Sequence, residues 1–166
     1  MPQKKFAGKK SAPRGVVAVE FALVLIPLLV LMMGVAEYGR ALFQYNTLAK
    51  SVRDSARFLT SQNPADASYS LNEAKCLAVY GNIGCTGGTP LAPGLSTTMV
   101  KVCNSGSPGS ADCPAGNFNA VGTGLGLINL VEVRIVGYPF NSFLPFVPAL
   151  NSIVFNDIHI TMRQVL

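Results

Sequence analysis

The longest apolar run in the chain covers residues 16–36, and its one charged residue is Glu20. As an α-helix, residues 16–35 would extend about 30 Å, which matches the hydrocarbon core of a bilayer. The sequence therefore predicts a single membrane-crossing helix over residues 16–36. A charge at bilayer depth is costly unless it is paired or lies near the edge, so Glu20 requires an explanation.

Beyond the apolar run, hydrophobic residues continue at spacings of three and four, which is the pattern of one helix face. Arg40, Gln44, Lys50 and Asp54 fall elsewhere around the axis. The pattern predicts one helix over residues 16–60, apolar all round at first and amphipathic afterwards. Pro27 is interpreted as a structural kink, which membrane helices tolerate. The stripe consists of Leu42, Tyr45, Leu48, Val52, Ala56 and Leu59.

The remaining residues, 61–166, read as a small α+β head. Residues 67–80 have a helical composition after the stop signal Asn63-Pro64, and Gly81 can end that second, shorter helix. Residues 97–103, 127–136 and 153–162 show β-branched or alternating patterns. We therefore predict a small antiparallel sheet of about three strands.

A proline- and phenylalanine-rich segment, GYPFNSFLPFVPALNS at 137–152, joins the last two predicted strands. Its aromatic residues Phe140, Phe143 and Phe146 have two interpretations. They can cover the sheet or the second helix, which is the interpretation we favour. Alternatively, they form a contact patch on the surface.

The net charge of +5 and the pI of 9.2 come from the N-terminus. From residue 16 onward the bases and acids balance, so no nucleic-acid-binding face is predicted. Bases just before an apolar run keep the N-terminus cytoplasmic and export the C-terminal part. The bases that precede Gly15 are Lys4, Lys5, Lys9, Lys10 and Arg14.

Four cysteines in the exported part suit an oxidising compartment and two disulfides. Three connectivities are open to four cysteines. Among them we favour the local pairs Cys76 with Cys85 and Cys103 with Cys113. The spacings contain no C-x-x-C, which argues against a zinc or redox site, and no metal or cofactor is predicted.

Other residue patterns give no catalytic site. His159, with Asp157 two residues away, is interpreted as a surface residue of a strand rather than part of a triad. The stretch GTGLGL at 122–127 lacks the last glycine of a dinucleotide-binding loop. We expect no enzymatic activity. Glu37 and Arg40, three residues apart, are expected to pair near the outer membrane interface.

Two interpretations of export compete. In the first, the apolar run is a secretory signal peptide cleaved near Ala36, before Glu37. The product would be a secreted domain that binds a surface ligand through its Phe/Pro-rich segment. In the second, the cut falls after Gly15, the helix is retained, and Glu20 becomes the fifth residue of the mature chain.

The second arrangement resembles the type IV pilin class, in which a basic leader and a glycine precede the cut and a glutamate occupies mature position five. Residues 14–60 resemble the TadE-like family of minor pilins (pseudopilins) of tight-adherence (Tad/Flp) pilus systems. The resemblance rests on RG at 14–15, VEFAL at 19–23, Pro27, EYGR at 37–40 and AR at 56–57. It extends to LAVYGN at 77–82, GTPLAPGL at 88–95, YPF at 138–140 and the final MRQ.

This resemblance implies a processing step and a set of partners. A prepilin peptidase would remove the leader, residues 1–15, by cutting between Gly15 and Val16. The protein would lie in the bacterial inner membrane and act with major and minor pilins and inner-membrane assembly proteins in pilus biogenesis and adhesion. Phe21, Glu37 and Arg40 would contact a partner helix.

Glu20 has two interpretations. It can neutralise the new α-amino group of Val16, within the chain or between neighbouring subunits, and so set their axial register. Alternatively, it is only a carboxylate near the N-terminal end of a helix, where the macrodipole favours a negative charge.

Overall fold

The computed structural model describes residues 14–66, 69–86, 88–106, 112–113, 117–143 and 153–165. The predicted leader before Arg14, and Phe146 of the Phe/Pro-rich segment, lie outside these ranges. The chain divides into two compact units, Met1–Gly39 and Arg40–Leu166. The fold class predicted from the sequence, α+β with a long first helix, is confirmed.

The first helix, α1, runs over Arg14–Thr60 and contains Pro27. Its bounds agree with the predicted range of 16–60. In the second half of α1, the buried stripe consists of Leu48, Val52, Ala56 and Leu59. The pattern of hydrophobic residues thus located the face of the helix that packs in the core.

Two features of the predicted amphipathic stripe differ from the structure. Leu42 and Tyr45 remain 44% and 47% exposed, so the buried part of the stripe starts later than the pattern suggested. Gln44, Ser51 and Ser55 are buried although they are polar. Gln44 and Ser55 contact the head: Oε1 of Gln44 lies 3.3 Å from the Tyr138 hydroxyl, and the Ser55 hydroxyl donates to the Ala74 carbonyl at 2.7 Å. The Ser51 hydroxyl donates to the Leu48 carbonyl within α1.

The second helix, α2, covers Leu71–Tyr80 and starts later than the predicted residue 67. Turns precede it, because the Tyr69 amide donates to the Asp66 carbonyl and the Leu71 amide to the Tyr69 carbonyl. At its end, Gly81 adopts the left-handed conformation (φ 71°), and its amide donates to the Leu77 carbonyl. Glycine takes this conformation without the penalty of a Cβ, so the predicted stop at Gly81 is confirmed.

Three antiparallel strands form the main sheet: β1 (Val100–Cys103), β4 (Leu130–Ile135) and β5 (Ile158–Arg163), in the order β1-β4-β5. Val133 of the central strand lies opposite Val102 on one side and Ile160 on the other. The predicted three-stranded antiparallel sheet is confirmed. Its alternate residues Val131, Val133 and Ile135 are buried in the same cluster as the stripe of α1.

The strands are shorter than the sequence pattern predicted. Turns occupy the start of the first predicted strand, since the Met99 amide donates to the Ser96 carbonyl. In the last one, Val154 makes only an isolated bridge with Pro139, and the strand begins at Ile158. β-branched residues alone did not mark where pairing starts, because pairing requires a neighbouring strand.

A second sheet, absent from the prediction, is the hairpin of β2 (Val121–Thr123) and β3 (Gly126–Ile128). The stretch GTGLGL at 122–127 forms most of this hairpin. The Thr123 hydroxyl donates to the Gly126 carbonyl at 2.7 Å across the turn, and Gly126 has a φ of 136°, which favours glycine. Leu125 at the tip is fully exposed.

Candidate functional site

The first half of α1 presents an apolar surface with nothing packed on it in the described structure. Val16, Leu23 and Leu31 are 53%, 67% and 65% exposed. Within the described ranges, α1 is the one helix that is long and apolar enough to cross a membrane, with a mean hydropathy of 2.8 in its most apolar part. An apolar helix with an unburied surface is typical of membrane anchoring.

Glu20 and Phe21 lie side by side on this exposed part of α1. Glu20 follows Val16 by four residues, which places the two residues on the same helix face about 6 Å apart along the axis. Phe21 is 66% exposed. The helix therefore presents a carboxylate within one turn of Val16 and an unburied aromatic ring next to it.

Gly15 lies in helical conformation at the start of α1. A Cβ built at Gly15 meets no atom within 4 Å. The same is true of Gly34 and Gly39 in the same helix. The described fold has no packing requirement for glycine at position 15, so any requirement for it must come from outside the chain.

In the second unit, Arg40 of α1 packs against two aromatic rings of the Phe/Pro-rich segment. Its guanidinium carbon lies 3.9 Å from the ring centroid of Phe143 and 4.9 Å from that of Phe140. Nη2 of Arg40 also donates a hydrogen bond to the Asn141 carbonyl. Phe140 in turn stacks on Phe155 with centroids 5.9 Å apart. Arg40 thus holds this segment against α1 through cation–π contacts.

The helix that carries Gly15, Glu20 and Phe21 is similar in sequence to a known protein family. Residues 15–57 match the family model of the TadE-like proteins. No curated protein and no solved structure matches the chain significantly. The TadE-like segment, residues 15–57, covers most of α1 and ends shortly before the last residue of the helix, Thr60. The match is a likeness of this helix, and not of the head, to TadE-like proteins.

The TadE-like segment includes every residue that the sequence analysis assigned to processing and assembly: Gly15, Val16, Glu20, Phe21, Glu37 and Arg40. Glu37 is half-buried in α1, and its ion pair with Arg40 stays a prediction. Arg40 itself is engaged with Phe140, Phe143 and Asn141 in the head. A role for Arg40 in binding a partner helix has to compete with these contacts.

The two described aromatic residues of the Phe/Pro-rich segment, Phe140 and Phe143, differ in burial, and Phe146 lies outside the described residues. Phe140 is buried against Phe155 and Arg40, whereas Phe143 remains 76% exposed. Arg40 of α1 contacts both rings. Sequence periodicity within the segment gave no signal of this contact.

Two disulfides join the cysteines in the local pairs that we favoured, Cys76–Cys85 and Cys103–Cys113. The first ties α2 to the loop that follows it, with Cα atoms 4.9 Å apart. The second ties the end of β1 to the loop beyond it and is buried, with Cys103 0% and Cys113 2% exposed. Lys101 and Asp112 add an ion pair of 2.9 Å beside it.

A buried polar contact between α1 and the head was missed by the sequence analysis. The hydroxyl of Tyr138 donates to the Pro93 carbonyl at 2.9 Å and lies 3.3 Å from Oε1 of Gln44. Burial raises the pKa of Tyr138 above its usual value, and the positive charge of Arg40 partly offsets that rise. The pattern of an amphipathic helix predicts that a glutamine off the apolar stripe faces solvent, so nothing in the sequence indicated this buried contact of Gln44.

His159, weighed earlier as part of a triad, is exposed on β5 opposite Arg134 of β4. Asp157 is exposed as well. On the described surface these two residues belong to an open strand edge beside Tyr45 and Arg53 of α1. No group of three or more metal-ligating side chains occurs among the described residues.

Proposed function

We propose that this protein is a minor pilin or pseudopilin of a tight-adherence pilus system, without enzymatic activity. The observation that carries the proposal is the unburied apolar helix of the TadE-like segment, whose one intramembrane charge, Glu20, follows Val16 by four residues. Residues 1–15 would lie in the cytoplasm and the head, 61–166, in the periplasm. The protein would act in pilus biogenesis and surface adhesion.

Processing by a prepilin peptidase would cut the chain between Gly15 and Val16. A peptidase has to admit an extended backbone at the cut, and a side chain just before it obstructs that approach. A Cβ at Gly15 meets no atom within 4 Å, so a substitution there can test this assignment without disturbing the described fold. The basic residues of the leader keep this site on the cytoplasmic side.

Glu20 would then act in assembly. Cleavage leaves a positive α-amino group on Val16, and an unpaired charge of either sign is costly in lipid. Glu20 lies about 6 Å from that group along the helix axis, close enough for an internal pair. In a packed filament, the same carboxylate can pair with the amino group of a neighbouring subunit. That pairing would set the axial register, whereas apolar helix packing alone tolerates sliding.

The proposed partners are the prepilin peptidase, other major and minor pilins, and inner-membrane assembly proteins. Phe21, exposed beside Glu20, would contact a partner helix through its ring. Glu37 and Arg40, near the end of the apolar run, were expected to take part as well. Since Arg40 is already packed on Phe140 and Phe143, we assign the primary helix contact to Glu20 and Phe21.

A second candidate function is a secreted domain whose signal peptide is cleaved near Ala36 and which binds a surface ligand. The exposure of Phe143 within the Phe/Pro-rich segment favours it. A cut before Glu37 would remove the apolar helix surface, including Glu20, and leave that surface without a role in the mature protein.

N-terminal sequencing of the mature protein separates these two functions. The full chain is expressed in a bacterium with a tight-adherence pilus system and recovered from the membrane and from the medium. A membrane-bound chain beginning at Val16 supports the minor pilin. A chain in the medium beginning at Glu37 supports the secreted domain, and an uncut chain beginning at Met1 contradicts both.

A further inference from the structure

A group of exposed apolar residues lies where the Phe/Pro-rich segment meets α1. Phe143, Val154 and Ile153 are 76%, 57% and 37% exposed. The described residues around them, 136–143 and 153–156, contain no Asp, Glu, Lys or Arg. Large exposed side chains on an uncharged surface are unfavourable in water, so they indicate an apolar or interfacial environment.

These residues are held in place by the head. Pro139 and Val154 form an isolated antiparallel bridge, and the Phe140 amide donates to the Ile153 carbonyl at 2.8 Å. Phe140, only 3% exposed, stacks on Phe155 beneath. We call residues 139–143 and 153–155 the Phe143 platform. Backbone hydrogen bonds and ring stacking hold this surface together, so it is more than a single exposed side chain in a loop.

The short chain between the apolar run and Arg40 limits how far the Phe143 platform can lie from the membrane. The guanidinium of Arg40 contacts the Phe143 ring, and Arg40 follows Ala36, the end of the run, by four residues. Four residues rise about 6 Å in a helix and reach at most about 14 Å when extended. The polar headgroup layer on each side of a bilayer is about 5–7 Å thick. With residues 16–36 in the hydrocarbon core, Arg40 and the ring it touches would fall in or next to that layer.

We propose that the Phe143 platform enters the lipid headgroup layer on the outer side of the membrane that α1 crosses. The inference rests on the proposed function in one respect, namely that α1 stays in the membrane. Aromatic side chains favour the headgroup layer because their rings are apolar but tolerate a polar surrounding. The residues of the platform, 139–143 and 153–155, are themselves uncharged, and the Arg40 guanidinium that contacts two of its rings would enter the layer with them.

In this arrangement Arg40 contacts both the platform and the lipid headgroups. Its guanidinium lies over the rings of Phe140 and Phe143, and long basic side chains near helix ends direct their charge toward the headgroups. Lipid phosphate is the anion that such a cation meets there. The head would thus be fastened to the bilayer at a second point, besides the helix that crosses it.

The chain contains no tryptophan, so a single introduced tryptophan reports its own surroundings by fluorescence. Three variants of the full chain are prepared in vesicles of phosphatidylethanolamine and phosphatidylglycerol. Phe143→Trp tests the platform, Leu29→Trp within the apolar run tests the anchor, and Leu125→Trp at the exposed hairpin tip is the control in water. Each is measured with lipids brominated near the glycerol end or near the chain end, because bromine quenches only nearby tryptophan.

We expect the tryptophan at position 143 to emit at shorter wavelength than the one at 125 and to lose fluorescence mainly with lipids brominated near the glycerol. The tryptophan at position 29 is expected to be quenched most by bromine near the chain end. If the tryptophan at position 29 is quenched while the one at 143 is unquenched and emits as in water, the platform proposal is overturned and the anchor is not. That result would favour a protein partner for Phe143. No quenching at 29 would overturn the anchor and the platform together.

Discussion

The hydroxyl of Tyr138 lies 3.3 Å from Oε1 of Gln44, joining the end of the sheet region to α1 through a buried polar contact. The same hydroxyl donates to the Pro93 carbonyl at 2.9 Å. Tyr138 and Gln44 are only 1% and 6% exposed. One phenol therefore connects two parts of the head with α1 away from water, where unpaired polar groups are expensive.

Removing this phenol should destabilise the head. Tyr138→Phe leaves the Pro93 carbonyl and the Gln44 amide without this partner, and we expect a loss of about 1–3 kcal/mol in the free energy of unfolding. Tyr45 is 47% exposed, so Tyr45→Phe is the matched control and should change the free energy of unfolding little. Urea unfolding of the full chain in detergent measures both. Equal effects of the two substitutions would contradict the role of the buried contact.

Stability should fall at high pH because of the same residue. The pKa of Tyr138 is raised by burial, so the folded state holds its proton more tightly than the unfolded state. The corresponding stability is fully present below the unfolded pKa of about 10 and is lost as the pH rises through the folded value. Thermal unfolding between about pH 9 and 11 should show this decline, and Tyr138→Phe should show a shallower one. If stability falls equally steeply with pH in Tyr138→Phe and in the wild type, Tyr138 is not the cause of the decline.

Gly15→Val should leave the uncut precursor in the membrane. The added side chain finds open space in the folded chain, so the fold should tolerate it while the peptidase should not. Gly34→Leu is the matched control, since a Cβ at Gly34 also meets nothing. The alternative cut before Glu37 would follow the small residues Gly34 and Ala36 of Gly34-Val35-Ala36, so Gly34→Leu would block that cut. The mobility of each variant on an immunoblot shows whether its leader has been removed. A normally processed Gly15→Val chain would contradict the cleavage site assigned between Gly15 and Val16.

Glu20→Ala should separate processing from assembly. The leader and Gly15 are unchanged, so cutting should proceed, but the amino group of Val16 loses its partner. Breaking a buried charge pair costs about 3–5 kcal/mol, so crosslinking to other pilins should be lost. Glu20→Asp, whose side chain is shorter by one bond of about 1.5 Å, should restore assembly only in part. Glu20→Gln keeps the shape without the charge and should fail like alanine.

If Glu20→Ala or Glu20→Gln is processed and still crosslinks and supports pili normally, charge pairing is not the role of Glu20. It would then be a carboxylate near the helix end with no part in assembly. Expression in a strain that lacks the native protein is essential for this comparison, because wild-type subunits would otherwise supply the missing contact.

The two disulfides should contribute to the stability of the head. Each closes a loop of about ten residues, and in the chain-entropy model such a closure is worth about 2–3 kcal/mol. Replacing both Cys103 and Cys113 with alanine should cost more than this, because both side chains are buried. The Cys76–Cys85 double substitution should cost less, since Cys85 is exposed. Urea unfolding measures the free energy of unfolding of the two double variants. Mass spectrometry without reductant verifies that the disulfide left in each variant has formed.

Local patterns in the sequence determined the elements whose causes are local. The period of apolar residues located α1 and its buried stripe at Leu48, Val52 and Ala56, because helix geometry repeats every 3.6 residues wherever the chain lies. Gly81 marked the end of α2 for an equally local reason, its left-handed backbone. The short spacings within each cysteine pair favoured the two disulfides that form.

Contacts between distant segments were decided only by the tertiary structure. Glu132 and Arg134 alternate as outward residues in the pattern, yet Glu132 is 7% exposed, because the central strand brings Thr161 of β5 within 2.8 Å of its carboxylate and Arg134 bonds it as well. Strand ends, the β2–β3 hairpin and the contact of Arg40 with Phe143 depend likewise on which segments meet. Pairing, burial and cation–π contact are properties of two partners, and a pattern along one segment contains only one of them.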